Sequence, residues 1–195
     1  MIKENGPQLH NYLKEINAET FGSHDLLTVG ETWGATTDNA KLYSGKDRNE
    51  LNMVFQFEHM DLDKTPGKRR WDLQRLELTA LKSALSKWQY ALDEDAWNNH
   101  DLPRIVSRWG DDGEYRKESA KMLGTLLHGM KGTPYIYQGE EIGMTNARFE
   151  SIDDYIDLET QNAYKTRIEE GFSKEDIMHS FYMKARDNAR TPMQW

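Results

Sequence analysis

Two spacings of apolar residues organise the chain. Leu9, Tyr12, Leu13 and Ile16 recur at helical spacing, as do Leu78, Leu81, Leu85, Trp88 and Leu92. Ala120, Leu123, Leu127 and Met130 mark a third helix, stopped by Gly132, and Ile177, Phe181 and Ala185 a fourth. Asn5-Gly6-Pro7 supplies a cap and a first-turn proline for the first helix, and Ser173 to Asp176 resembles a capping box for the last. Between the helices lie short apolar runs of strand length. Asp25–Gly30 ends at Glu31, Asn52–Phe57 forms a second run, and a weak strand precedes Asn98. Thr133–Gln138 is the fourth, with Pro134 near its start.

Helices alternating with short strands predict an α/β fold with a parallel sheet and crossover helices. A doubly wound sheet and a barrel both fit this pattern. In either, ligands bind at the carboxyl ends of the strands. Glu31, Glu58, Asp101 and Glu140 all fall just after expected strands. The chain lacks a Gly-x-Gly-x-x-Gly or Walker loop, which weakens a nucleotide-binding reading.

Two carboxylates stand out. Glu31 follows a strand expected to be buried and lies two residues from Trp33, a setting that would desolvate a carboxyl and suit it to general acid chemistry, while a surface glutamate that opens a loop is the alternative. Asp101 lies in Trp97-Asn98-Asn99-His100-Asp101-Leu102-Pro103-Arg104, which gathers a carboxylate, an imidazole, two amides and a guanidinium. Glycoside hydrolysis needs paired carboxylates and groups that bind hydroxyls. From 31 to 101 is 70 positions. That is about two strand–helix units of an eight-unit barrel of roughly 250 residues, so both residues could share one rim. Trp33 and Trp109 offer flat faces for sugar C–H groups, with simple packing equally open for Trp109, and Phe57 and Glu58 are expected to line a pocket.

Composition narrows the classes. A net charge of -8 and a pI near 5.3 disfavour nucleic acid or an anionic membrane surface as partner. The absence of cysteine excludes disulfides and cysteine-ligated metals. Glu58 to Asp63 is rich in acids but lacks a helical His pair or EF-hand spacing, so no metal is expected. With no apolar run resembling a signal peptide or a membrane span, the expected location is cytoplasmic.

Four segments carry a family resemblance: TVGETWG at 28–34, WNNHDLPR at 97–104, GTPYIYQGEEIGMTN at 132–146 and ARDNARTPMQW at 185–195. In order and spacing they resemble the oligo-1,6-glucosidases and dextran glucosidases of the α-amylase superfamily, and the likeness runs from NGPQLHNYLKE to the last tryptophan. The resemblance implies the C-terminal half of a TIM (β/α)8 barrel, strands 5 to 8 with their helices. Residues 1–195 would be part of one catalytic domain. The N-terminal half-barrel, an inserted domain and a C-terminal β-sandwich would lie outside the chain. It implies Glu31 as general acid/base and Asp101 as the third carboxylate, with His100 contacting the same sugar. Arg190 would bind sugar and Trp33 would form an acceptor wall. Arg70 and Glu159 would be acceptor-side contacts, and from their own settings in the sequence Arg104 and Phe57 are expected to contribute to the substrate site. Arg70 stands where dextran glucosidases tend to have Lys.

The family's nucleophile, an aspartate after the fourth strand, would lie upstream of residue 1, so the isolated polypeptide is expected to be inactive. The implied partner is an oligosaccharide, with α-1,6 links in isomalto-oligosaccharides or short dextrans, and no cofactor is implied. Other branches of the superfamily cleave trehalose 6-phosphate or maltose-type links, and some members are non-catalytic. Trp33 argues against the trehalose-phosphate branch. A half-barrel would expose sheet edges, so self-association is a further expectation.

Overall fold

The computed structural model describes residues 6–91 and 99–194. These form two compact units. One takes in the described residues of Met1–Leu62, Glu77–Ala96 and Met130–Pro134. The other takes in those of Asp63–Leu76, Trp97–Gly129 and Tyr135–Trp195. The expected strand near Trp97, the cap at Asn5 and the apolar position Leu92 lie outside the described residues.

The first unit is an α/β arrangement. It runs through α1 (Leu9–Ile16), β1 (Val29–Glu31), α2 (Thr37–Ser44), β2 (Met53–Phe55) and α3 (Leu78–Ala91). The strands pair in parallel with Val29 opposite Met53, Gly30 opposite Val54 and Glu31 opposite Phe55. Parallel neighbours need a crossover, and α2 supplies it, capped by the Thr36 hydroxyl on the Asn39 amide at 3.2 Å. A reciprocal pair fixes the start of the ladder. The Thr28 amide donates to Asn52 Oδ1 at 2.8 Å, and the Asn52 amide donates to Thr28 Oγ1 at 3.0 Å. Ala40 and Tyr43 of α2, Val54 of β2 and Trp88 of α3 form the core, and Leu9 and Leu13 of α1 pack against it. Trp88 Nε1 donates to Glu58 at 2.7 Å, and Lys87 also binds that carboxylate. Glu58 is thus tied to α3.

Two expected strands need correction. The first run forms a strand only over Val29–Glu31, and Leu27 before it is 63% exposed. Thr133–Tyr137 is not a strand, and Ile136 is 53% exposed. Apolar runs report an inclination to be buried, whereas a strand exists only through ladder bonds to a neighbour.

The second unit is mainly helical, with α4 (Ile105–Trp109), α5 (Arg116–Gly129), α6 (Leu158–Glu169) and α7 (Lys174–Lys184). Leu123 and Leu127 are the buried apolar residues of α5, as their spacing predicts. Ser173 caps α7 through the Asp176 amide at 3.0 Å. Ile177, Phe181 and Ala185 then pack with Trp71 and Tyr155 in the main apolar cluster. Gly139, at φ 87°, leaves room that a Cβ would fill, since such an atom would fall 2.1 Å from Met144 Sδ.

Beside this cluster lies a buried set of charges. Asp63 accepts Arg108 Nε at 2.7 Å and Nη2 at 2.8 Å, together with Trp109 Nε1 at 3.0 Å and the Lys184 ammonium. Burial alone would push the Asp63 carboxyl up, but Arg108 and Lys184 outweigh it and hold it far below the usual carboxylate range. Burial draws Lys184 down to about 8, so it still holds its proton at neutral pH. Asp63→Asn would leave two cations buried against a neutral amide. It should cost about 3–5 kcal/mol in unfolding free energy by denaturant titration. Because the folded Asp63 is the stronger acid, its contribution is present above the unfolded pKa of roughly 4. In the wild type it should fade as pH falls below that value, and this component of the acid sensitivity should be absent in Asp63→Asn.

Candidate functional site

In the first unit the parallel register builds the site. Glu31 is the last residue of β1, opposite Phe55. The Thr32 amide and hydroxyl both donate to the Phe55 carbonyl, at 3.2 and 2.8 Å, and hold the chains side by side past the ladder. Trp33 and Phe57 are each two residues beyond the opposed pair Glu31 and Phe55. Their rings stack with centroids 4.0 Å apart and planes within 4°. Phe57 is only 7% exposed and Trp33 is 46% exposed, so the phenyl ring backs an indole that remains open to solvent. Gln56 fixes the turn after β2, with Oε1 accepting the Glu58 amide at 2.9 Å and Nε2 lying 2.8 Å from His59 Nδ1. The expected burial of Glu31 is not found: β1 has a single neighbouring strand among the described residues, and the carboxylate is exposed.

In the second unit the candidate centre is Asp101. Its Oδ1 accepts Arg186 Nη1 at 2.9 Å and also Arg190 Nη2. Its Oδ2 lies 3.4 Å from His100 Nε2. Burial would raise the carboxyl, but Arg186, His100 and Arg190 outweigh it and hold it below the usual carboxylate range. Arg190 also donates Nε to the His100 carbonyl at 2.6 Å, so it grips the loop as well as the carboxylate. The Asp101 amide donates to Asn99 Oδ1 at 2.8 Å. Arg70 and Glu159 pair with each other, Nη1 to Oε2 at 3.2 Å. Arg70 Nη2 also donates to the Lys184 carbonyl at 2.6 Å and the Asp101 carbonyl at 3.4 Å. The structure therefore brings Asp101, His100, Arg190, Arg70 and Glu159 into one connected set.

Arg104 departs from the expectation of a substrate contact. It is 2% exposed, with its guanidinium spent on the carbonyls of Gln138 and Ala189 and stacked over Tyr137 at 4.8 Å. A side chain so enclosed fastens loops and has no surface for a sugar. Trp109 is likewise engaged, by Asp63 and by Arg108 over its ring at 5.2 Å. Two residues escaped the sequence reading. Arg186 binds Asp101 and Asp157, and Asp157 caps α6 through the Thr160 amide at 3.1 Å. The available signals were a second arginine four positions before Arg190, and an aspartate three positions before a threonine. Among the described residues no cluster could hold a metal, and no helix is long and apolar enough to cross a membrane.

A family model described as "Alpha amylase, catalytic domain" matches residues 1–195. The oligo-1,6-glucosidase of Bacillus cereus is 60% identical over 98% of this chain and 35% of its own length. The glucan 1,6-alpha-glucosidase of Streptococcus pneumoniae is 56% identical over 100% of this chain and 38% of its own length. Among solved structures, the trehalose-6-phosphate hydrolase of Bacillus licheniformis matches with a TM-score of 0.90 and 46% identity, over 97% of this chain and 35% of that one. The chain thus spans about a third of the length of these relatives.

Removing a cation from a carboxylate favours its neutral form. Arg190→Ala should therefore raise the Asp101 pKa, as read by carboxyl-carbon NMR titration, while Arg186 keeps it from reverting fully. An unmoved titration would show that the Arg190 contact carries no electrostatic weight.

Proposed function

The chain belongs to the α-amylase catalytic-domain family, and on that premise we propose that it forms part of a retaining exo-α-glucosidase. Its substrates would be the α-1,6 links at the non-reducing ends of isomalto-oligosaccharides or short dextrans. Two relatives named for 1,6-glucosidase activity support this reading at 56–60% identity. We assign the chain to strands 5 to 8 of the barrel with their helices. The partner is the oligosaccharide, with no cofactor in the reaction.

The observation that carries the reading is the state of Asp101. It is held ionised, with Oδ1 clamped by two guanidiniums and Oδ2 directed to His100. An anion so prepared accepts hydrogen bonds from sugar hydroxyls and favours the positive charge that develops on the ring in an oxocarbenium-like transition state. Glu31 takes the general acid/base role. It protonates the departing glycosidic oxygen, then removes a proton from the water that frees the glucosyl-enzyme. The attacking carboxylate is none of the residues assigned here. Trp33, propped by Phe57, presents the apolar face on which the acceptor sugar stacks. The paired Arg70 and Glu159 are the acceptor-side polar contacts.

In the full-length enzyme, Glu31→Gln should lower kcat on isomaltose by roughly 10²–10⁴-fold. Glycosylation by an aryl α-glucoside with a good leaving group should suffer far less, because no proton need be supplied. Equal losses on both substrates would overturn the role of Glu31. Asp101→Asn should lower kcat much more than it raises KM, as expected for a contact made mainly in the transition state.

A further inference from the structure

We propose that Arg186 is a positioning residue for Asp101, bridging it to Asp157 at the start of α6 so that Oδ1 is fixed and Oδ2 is reserved for a sugar hydroxyl. The inference rests on the assignment of Asp101 to the sugar site.

The bridge has two anchored ends. Arg186 Nη1 reaches Asp101 Oδ1 at 2.9 Å, while Nε reaches Asp157 Oδ1 at 2.9 Å and Nη2 binds the same Asp157 oxygen. A planar guanidinium can serve two carboxylates in this way because its donors point in fixed directions. Asp157 is itself immobilised. It is 7% exposed, and its Oδ2 accepts the Thr160 amide at 3.1 Å and the Thr160 hydroxyl at 2.9 Å. Its own amide donates to Asp187 Oδ2 at 2.8 Å. Arg186 and Asp187 open one 3-10 turn, Arg186–Ala189, so the cation and the group that secures its far anchor move together.

Arg190 plays a different part. Its second bond is to the His100 carbonyl, on the same loop as Asp101, so Arg190 would follow that loop if it shifted. Arg186 instead refers the carboxylate to α6, a helix 56 positions further along the chain, counting from Asp101 to Asp157. The two oxygens of Asp101 are consequently unequal. Oδ1 holds both guanidinium contacts, whereas the group facing Oδ2 among the described residues is His100 at 3.4 Å. Rotation about the carboxyl bond would exchange the oxygens, and it must break both arginine contacts to do so.

The test is a double-mutant cycle in the full-length enzyme, reading kcat and KM on an aryl α-glucoside for R186Q, D101N and the pair. R186Q should lower kcat about ten- to hundred-fold, the range expected for a charge-assisted contact, with a smaller change in KM. In the D101N background the same substitution should cost less than about twofold, because its effect is transmitted through the carboxylate. R186K covers the case in which R186Q folds poorly. It keeps a cation beside Asp157 and should hold the melting temperature near wild type, yet it lacks the planar fork whose separate nitrogens reach Asp157 and Asp101 in fixed directions, and kcat should stay low. Equal fold-losses from R186Q with and without Asp101, or a fully active R186K, would overturn the proposal. A D101N enzyme with wild-type kcat would overturn the underlying assignment and this inference with it.

Discussion

The buried contact of Asp63 with Arg108 and Lys184 governs the second unit. Charges taken out of water are tolerated only where each meets an opposite charge in good geometry. Here the forked guanidinium of Arg108, the indole of Trp109 and the Lys184 ammonium all converge on one carboxylate. Each of the three enters from a segment that leads to the candidate site. Arg108 lies on α4, directly after the segment 99–104. Lys184 ends α7, and Arg186 follows two residues later. The Lys184 carbonyl also receives Arg70. Fixing Asp63 therefore fixes the starting points of the side chains that surround Asp101.

The first unit reaches its site by another route. It relies on backbone register, with Thr28 and Asn52 locking the ladder and Thr32 extending it. Stacking of Trp33 on Phe57 then follows from counting two residues past an opposed pair. Ion pairs place the groups around Asp101, and hydrogen-bonded backbone places those around Glu31. The charged set tolerates little loss of partners, whereas the aromatic pair depends on alignment and is indifferent to pH.

Much of this was legible in the sequence. Helical spacing located α3, α5 and α7, and Ser173 announced the start of α7 because capping is a local interaction. The segment around Asp101 was recognisable because its polar residues cluster within eight positions. What escaped was long-range. The two carboxylate partners of Arg186 lie 29 and 85 positions away, and no local pattern distinguishes an arginine that clamps a carboxylate from one that faces solvent. The placement of Arg104 is hidden for the converse reason. Its neighbours are polar in sequence, but in space it is enclosed by carbonyls from Gln138 and Ala189. Leu27 and Ile136 misled because apolar character does not supply a partner strand.

The locked register of β1 and β2 also sets where the chain can change in length. Every contact that places Trp33 on Phe57 is counted from Thr28 and Asn52, so one residue gained or lost within 28–33 or 52–57 would turn one ring to the opposite face of its strand. The exposed start of the connection between α2 and β2, ahead of the buried Glu50 with its partners His10 and Arg48, carries no such count. It passes through Gly45 at the end of α2 and through Asn49 in a left-handed conformation at φ 52°, with side chains that face solvent at Lys46 and Asp47. Insertions in related sequences should therefore accumulate in this connection and be absent from the two windows that frame the ladder.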